Sequence, residues 1–281
     1  MVSVIIPTHN RAWCLGQAID SVLAQDYENF ELLVVDDGST DDTASLLAGY
    51  KDPRLRIFSQ PNKGVSAARN LGIANARGAF IALLDSDDLW EPGKLSCQVS
   101  FFKAHPGAMI CQTEEIWIRN GRRVNPMKKH KKPSGDIFEA SLNLCLVSPS
   151  AVMMRKSLLD SKGGFREDFP VCEDYDLWLR IGMDTPIYLI DDPQVVKKGG
   201  HEDQLSRDHS QDKYRILSLT TLVQSGTLSQ EQTDRVLKVL EKKCRIYGNG
   251  CVKRGRQKEG EYYLNHYQRV VGDLKGMIKE S

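Results

Sequence analysis

An α/β fold, with a mostly parallel sheet flanked by helices and a C-terminal helical appendage, is predicted by three observations. Short β-branched apolar runs alternate with helical apolar stripes through residues 2–88. Hydroxyl or acidic residues close these runs, at Thr8, at Asp36 and Asp37, and at Asp85–Asp88. From about residue 212 onward only amphipathic helical patterns remain.

The first run, "VSVIIPT" (2–8), has the length and composition of a buried strand. In "CLGQAIDSVLAQ" (14–25), apolar residues at 15, 18, 19, 22 and 23 make a helical stripe. "FELLVVDDGS" (30–39) is a second strand ending in aspartates. "STDDTASLLAGY" (39–50) opens on capping residues and closes near a glycine, as a helix does. "LRIFSQ" (55–60), "VSAARNLGIANA" (65–76) and "AFIALLDSDD" (79–88) continue as strand, helix and strand. Such alternation gives parallel strands with helices between them, and ligands then bind beyond the carboxyl ends of the strands. Three acid- or hydroxyl-tipped strand ends are thus expected to face one crevice.

Residues 108–205 are less regular, and "AMICQTEEIWIR" (108–119) and "SAVMMRKSLL" (150–159) are strand and helix pieces of a mixed second half. "YRILSLTTLVQ", "SQEQTDRVLKVLEKKCRIY" and "GEYYLNHYQRVVGDLKGMI" are three helices separated by glycine-rich breaks, with Ser229 and Gln232 spaced as a capping box. No cluster of reactive side chains appears in them. The chain divides into a main domain over residues 1–205 and a helical extension over 206–281.

A net charge of +1 gives no bulk electrostatic attraction to nucleic acid. Seven cysteines, odd in number and never spaced C-x-x-C, point to reduced thiols in a cytoplasm rather than a disulfide framework or zinc ribbon. "MVSVIIPTHN" lacks a basic leader, and no stretch approaches the ~20 apolar residues of a membrane span. A cytoplasmic protein with no transmembrane segment is expected.

Three carboxylates within "DSDD" (85–88) repel one another unless a cation lies between them. In an extended segment Asp85 and Asp87 share a face, and Mg²⁺ or Mn²⁺ is a hard cation held by one or two carboxylates together with substrate phosphates. A strand-end D-x-D therefore suits a metal diphosphate, while Ser86, Asp87 and Asp88 equally suit the capping of a turn. Asp36 and Asp37 have the chemistry to accept from a base N–H or from ribose hydroxyls. Asp41 and Asp42 are assigned to capping the helix that follows.

Together, "VSVIIPTHNR", "ELLVVDDGSTDDT", "NKGVSAARNLGIANARGAFIALLDSDD" and "CEDYDLWLR" resemble, in order and spacing, the inverting family 2 glycosyltransferases of GT-A fold. The resemblance runs from residue 1 to about 205. It implies a single sugar moved from a nucleotide-diphosphate donor, UDP before other nucleotides, to an acceptor hydroxyl in polysaccharide or glycolipid assembly. It further implies that Thr8 and Asp37 contact the base with Asp36 beside them, and that Arg69 lies near the nucleotide. Asp85 and Ser86 then meet the donor, Asp85 and Asp87 hold Mg²⁺ or Mn²⁺, and Asp88 stands behind them. Asp174 becomes the general base, with Glu173 orienting it or touching acceptor. Glu173 and Asp174 also open a helix, where the dipole alone favours anions. His201, in "KKGGHEDQLSRDHS", matches the late histidine that completes the metal shell in some relatives of this fold.

The basic stretch "RNGRRVNPMKKHKKPSG" (119–135) is a solvated loop, or one that draws an anionic lipid-linked acceptor to a membrane surface. The helical tail is compatible with self-association or with packing on the main domain. No G-x-x-x-x-G-K-[ST] or G-x-G-x-x-G occurs, which removes the phosphate cradles of ATPases and dinucleotide enzymes. "DSDDLWEPG" fails the EF-hand pattern because Leu89 stands where an oxygen ligand is required. A sugar nucleotidyltransferase should carry a glycine-rich loop after its first strand, where this chain has "PTHNRAWC". A nucleotide-sugar-binding protein without turnover is the remaining alternative, and the presence of Asp174 favours catalysis over it.

Overall fold

A computed structural model describes residues 1–125, 127–200 and 211–280. Its first strands are β1 (Val2–Thr8), β2 (Phe30–Asp36), β3 (Leu55–Ser59) and β4 (Phe80–Leu83). They are joined by α1 (Ala12–Leu23), α2 (Thr43–Ala48) and α3 (Val65–Asn75). All three pairings are parallel, in the spatial order β3-β2-β1-β4. The chain winds outward from β1 on one side and returns to its other side with β4. The carboxyl ends of β1 and β4 part at this switch point and leave a crevice.

Consecutive β1 side chains enter opposite faces of the sheet. Val2, Val4 and Ile6 pack with Leu15 and Ile19 of α1, whereas Ile5 packs with Leu33 and with Ile73 of α3. Both faces are covered, which is why β1 and β2 are buried along their whole length, with Ser3 and Glu31, the polar residues inside them, hydrogen-bonded to each other. Pro7 is tolerated because β4 pairs with β1 only as far as Ile5↔Leu83, so its missing N–H leaves no ladder bond unmade. Gly72 lets α3 approach β1, since a Cβ there would lie 2.5 Å from Ile5 Cγ2.

The second half adds β5 (Leu89–Trp90), α4 (Lys94–Ala104), β6 (Ile110–Arg119), β7 (Arg122–Val124), α5 (Phe138–Ser141), β8 (Val152–Arg155), α6 (Lys156–Lys162), α7 (Glu173–Gly182) and β9 (Tyr188–Gly199). The sheet becomes β3-β2-β1-β4-β8-β6-β9-β5, with β7 on β6. Beyond β4 the pairs are antiparallel except β6–β9.

Two expected strands end early, each for a local reason. Over 30–39 the strand stops at Asp36, whose Oδ1 accepts the Ser39 N–H at 3.0 Å and turns the chain. Over 79–88 it stops at Leu83, and residues 85–88 form a turn closed by the Asp88 N–H on the Asp85 carbonyl at 3.0 Å. Asp41 caps more than its own helix, accepting the Thr43 N–H through Oδ1 and the Ala12 N–H at the start of α1 through Oδ2. The basic stretch 119–135 is not wholly loop. Asn120 and Gly121, at φ 50° and 72°, make the tight turn of a β6–β7 hairpin.

Three C-terminal helices follow, α8 (Gln211–Gln224), α9 (Gln230–Lys253) and α10 (Gln257–Glu280). The capping box of α9 forms, with Ser229 Oγ accepting the Gln232 N–H and Gln232 Oε1 accepting the Ser229 N–H. Leu219, Val236 and Leu240 from these helices share a buried cluster with Phe138, Leu142, Tyr175 and Leu179 of the α5 and α7 region. The helices therefore cover α7, the element that carries Glu173 and Asp174. Among the described residues no helix is long and apolar enough to cross a membrane.

Candidate active site

A cavity of about 570 Å³ opens at the switch point, within the range that holds a small-molecule ligand. Thr8, Asp37, Arg69, Asp85, Ser86, Asp87, Glu173 and Asp174 all line it. Asp36 does not. Neighbouring side chains at a strand end point opposite ways, and Asp36 faces the turn to Ser39 instead. His201 lies outside the described residues.

Each acid is fixed by the local fold. The Asp37 carboxylate accepts the Gly64 N–H at 2.7 Å, the Lys63 N–H at 2.9 Å and Gln60 Nε2 at 2.6 Å. Gly64, at φ 91°, precedes α3 in a conformation that only glycine adopts cheaply. Next to it, Thr8 Oγ1 is buried and has no hydrogen-bond partner among the described residues. An unsatisfied hydroxyl in a cavity wall is a group awaiting a ligand.

The acidic turn is pinned from behind. Ser150 Oγ accepts the Asp85 N–H at 3.1 Å and donates to Asp88 Oδ2 at 2.7 Å, while Asp88 Oδ1 accepts the Lys198 N–H at 2.9 Å. Burial, helped by the charges of Asp87 and Asp85, pushes the Asp88 carboxyl up to about 8. Asp85 and Asp87 meet side-chain cations. Asp85 Oδ1 lies 2.8 Å from Arg69 Nη2, and Asp87 Oδ2 lies 2.9 Å from Arg11 Nη1. Burial opposes ionisation of Asp85, but Arg69 and Lys197 outweigh it and lower its pKa.

Arg69 reaches further, donating through Nη1 to Glu173 Oε1 at 2.6 Å. Its side chain is 3% exposed, so it is a buried arginine paired with two carboxylates and not a solvated one on the helix surface. Glu173 and Asp174 begin α7 after Cys172, a non-glycine residue at φ 62°. That left-handed turn costs on the order of 1 kcal/mol and aims the two acids at the cavity. Burial and the neighbouring Asp174 raise Glu173 to about 7 against the pull of Arg69. Asp174 Oδ1 accepts the Tyr175 N–H at 2.6 Å. Its Oδ2 has a 3.5 Å contact with Cys145 Sγ, whose thiol also donates to the Val147 carbonyl at 3.2 Å. Burial first, then Asp174, holds that thiol well above the usual cysteine range, so it stays protonated.

Four cationic positions were not assigned a role from the sequence. Arg11 follows the "PTHN" of the first motif, Lys197 and Lys198 stand in "VVKKGG", and Arg215 comes from α8. Burial works against the Lys197 charge, yet Glu115, Asp88, Asp85 and Asp174 raise its pKa, and its Nζ donates to Ser148 Oγ at 3.1 Å. Two adjacent lysines ending an apolar strand were the one available sign. The tail, which showed no chemistry in its sequence, contributes Gln211 and Arg215 to the wall.

Hard oxygen donors from Asp85 and Asp87 suit Mg²⁺ or Mn²⁺. Among the described residues no group of three His, Cys, Asp or Glu side chains is placed to hold an ion alone. That fits an ion whose remaining positions belong to substrate phosphates and water, as magnesium sites commonly arrange.

A parallel β-α-β core with an acid-lined crevice at its switch point, continued by an antiparallel half, defines the GT-A class of fold. The pattern of Glycosyl transferase family 2 matches residues 3–161, and the chain belongs to that family. An uncharacterized glycosyltransferase of Rickettsia felis is 38% identical over 191 residues, which are 68% of this chain and 31% of that protein. This chain thus spans under a third of the length of that relative. The Escherichia coli UDP-Glc:alpha-D-GlcNAc-diphosphoundecaprenol beta-1,3-glucosyltransferase WfgD is 35% identical over 68% of this chain and 73% of its own length. Among solved structures, Staphylococcus aureus TarS 1-349 in complex with UDP-GlcNAc superposes with a TM-score of 0.77 at 21% identity, over 96% of this chain and 81% of TarS. The Pyrobaculum calidifontis mannosyltransferase PcManGT, in complex with GDP-Man and Mn²⁺, gives 0.60 at 17% identity, over 100% and 88%.

Proposed function

We propose that this chain is an inverting glycosyltransferase that moves one sugar from a UDP-linked donor to a hydroxyl of a carbohydrate or lipid-linked acceptor, in the cytoplasm. The observation that carries the reading is the meeting of Asp37, Asp85, Asp87 and Asp174 in one cavity from three separate stretches of chain. The E. coli relatives, named as glucosyltransferases using UDP-Glc and a lipid-linked GlcNAc, support the choice of donor and acceptor class.

Asp37, braced by two backbone N–H groups, accepts from the base, and the unpartnered Thr8 hydroxyl supplies a second polar contact there. Asp85, Ser86 and Asp87 face the diphosphate and sugar. Asp85 and Asp87 would hold Mg²⁺ or Mn²⁺, with His201 a candidate third ligand. When bound, such an ion offsets the charge that grows on the departing diphosphate. Among the described residues six carboxyl residues and five cationic ones line the cavity. Asp174 takes the acceptor proton. Its Oδ1 is held by a backbone N–H, which leaves Oδ2, met among the described residues by the weakly donating Cys145 thiol at 3.5 Å, as the basic atom. Glu173 sets the start of α7 through Arg69 and so positions Asp174.

Thermal unfolding with UDP-Glc, UDP-GlcNAc and GDP-Man, each with and without Mn²⁺, tests the donor assignment. A UDP-sugar at 100 Kd adds about 2.7 kcal/mol of stability, and the gain should require the metal. No shift with any donor rejects the reading. A shift without release of UDP to any acceptor makes this a binding protein.

A further inference from the structure

Three arginines line the cavity, and they are not equivalent. Arg11 and Arg69 are matched to carboxylates at 2.6–2.9 Å inside the donor half. Among the described residues the carboxylate partner of Arg215, on α8, is Asp212 at 3.3 Å, which is 40% exposed. Asp212 is shared, because the same Oδ1 lies 3.8 Å from Lys243 Nζ. Two cations thus share one exposed carboxylate. Arg215 Nε is buried without an acceptor among the described residues. Buried N–H donors are nearly always paired, so this one marks a place for an incoming oxygen.

The position of the guanidinium is as informative as its charge. Its carbon lies 5.9 Å from the centroid of Tyr175, the residue after Asp174, and Nη2 donates to Gln211 Oε1 at 2.9 Å. Helix α8 is locked to α7 by Ser218 Oγ donating to Asp176 Oδ1 at 3.0 Å. Arg215 therefore reaches the cavity beside the start of α7, whereas Arg11 and Arg69 reach it at the acidic turn. With Asp174 as the base, the acceptor hydroxyl must come to this same helix start. A neutral sugar needs no arginine there, whereas a phosphate oxygen matches the planar donor fork.

We propose that Arg215, presented by the C-terminal helices, forms an acceptor subsite for a phosphate group attached to the acceptor sugar. This rests on the function proposed above and deepens it by naming the acceptor's charge and the element that reads it. The C-terminal helices then form part of the substrate site. The phosphate belongs to a sugar diphosphate lipid or to a phosphodiester polymer, and both present the same oxygens to Arg215.

Binding of three probes separates the possibilities: octyl α-D-GlcNAc, octyl α-D-GlcNAc-1-diphosphate, and a GlcNAc phosphodiester. Each is titrated by calorimetry against the protein alone and against protein saturated with UDP and Mn²⁺. UDP occupies the donor phosphate positions, so preference for a charged probe in its presence reports the acceptor side. The wild type should favour at least one phosphate-bearing probe over the neutral one by about tenfold, and the tighter of the two identifies the source. Arg215→Gln should reduce that preference to within about twofold while UDP affinity is unchanged, and Arg215→Lys should retain part of it. Equal binding of all probes by the wild type, or an undiminished preference in a folded Arg215→Gln protein, overturns the proposal. If Arg215→Gln does not fold, the wild-type comparison and Arg215→Lys decide it. Failure to bind UDP would count against the proposed function, and the effect of Arg215 on the charged probes would still be read from the protein alone.

Discussion

Arg69 and Glu173 meet at 2.6 Å across 104 residues of sequence, and the contact joins the two halves of the molecule at the cavity. The other guanidinium nitrogen holds Asp85 at 2.8 Å, so one buried cation ties α3 to α7 and to the acidic turn. Burial alone would lower the Arg69 pKa, but the two carboxylates raise it, and the guanidinium remains charged. Removing one partner from such a set leaves uncompensated charge at a largely buried position.

Arg69→Ala is therefore expected to cost about 3–5 kcal/mol of stability, because Asp85 and Glu173 lose their shared cation. Arg69→Lys should cost less but not restore the wild type, since an ammonium lacks the fork that reaches both acids. Urea denaturation measures both. An Arg69→Ala protein within about 1 kcal/mol of wild type would show that the bridge contributes nothing net.

The parallel half of the fold was legible in the sequence because each strand there carries its own signal. Val2–Thr8 and Phe30–Asp36 are apolar but for Ser3 and Glu31 until they end in polar residues, and α1 between them has a clear stripe. The later half was not, for reasons visible in particular elements. β5 is two residues long, and β9 ends in two lysines and a glycine while its pairing to β6 shifts register near Glu114. Such strands are defined by their partners rather than by a local pattern. The same division holds at the site. Asp37, Asp85, Asp87 and Asp174 stood out as acids where a folding argument asks for none. Lys197 and Arg215 did not, since a lysine on a strand and an arginine on an amphipathic helix are ordinary until the fold turns them inward. Asp36 was legible as an acid but not as the one facing away.

Asp174→Asn keeps the shape and the contact with the Tyr175 N–H but removes the basic oxygen pair. Transfer is expected to fall roughly 10²–10⁴-fold, with UDP-sugar affinity within about twofold of wild type. Single-turnover kinetics beside calorimetry would separate the two effects. Wild-type turnover by the variant would move the base elsewhere, and a loss of donor binding would make Asp174 a donor contact.

Asp87→Ala tests the metal assignment from a different side. The substitution removes one oxygen donor from the acidic turn and also deprives Arg11 of its 2.9 Å partner. Donor binding in Mn²⁺ should weaken about tenfold or more, and the difference between Mn²⁺ and EDTA should shrink toward nothing. Arg11 stays in the cavity wall and can still attract a diphosphate, so some metal-independent binding is expected to remain. If the variant keeps the wild-type ratio of affinities with and without Mn²⁺, Asp87 is not a ligand.

Lys94 offers a pH test away from the cavity. Its side chain is wholly buried at the start of α4, with Nζ 2.5 Å from Gln98 Oε1 and 4.0 Å from the centre of the Trp90 ring. Burial pushes its pKa down to about 7, against an unfolded value near 10.4. Below pH 7 both states carry the proton, and the folded protein bears the full cost of a buried charge. Between about pH 7 and pH 10 the unfolded chain binds the proton that the native state has released, so stability should rise with pH across that window, by up to ~1.4 kcal/mol per unit. Lys94→Met removes the titration and should flatten this rise, whatever the separate cost of leaving Gln98 Oε1 unpaired. Urea denaturation of both proteins at pH 6.5, 8 and 9.5 gives the comparison. Identical slopes in the two proteins would mean that Lys94 stays protonated in the fold, held by Trp90 and Gln98 more strongly than burial opposes it.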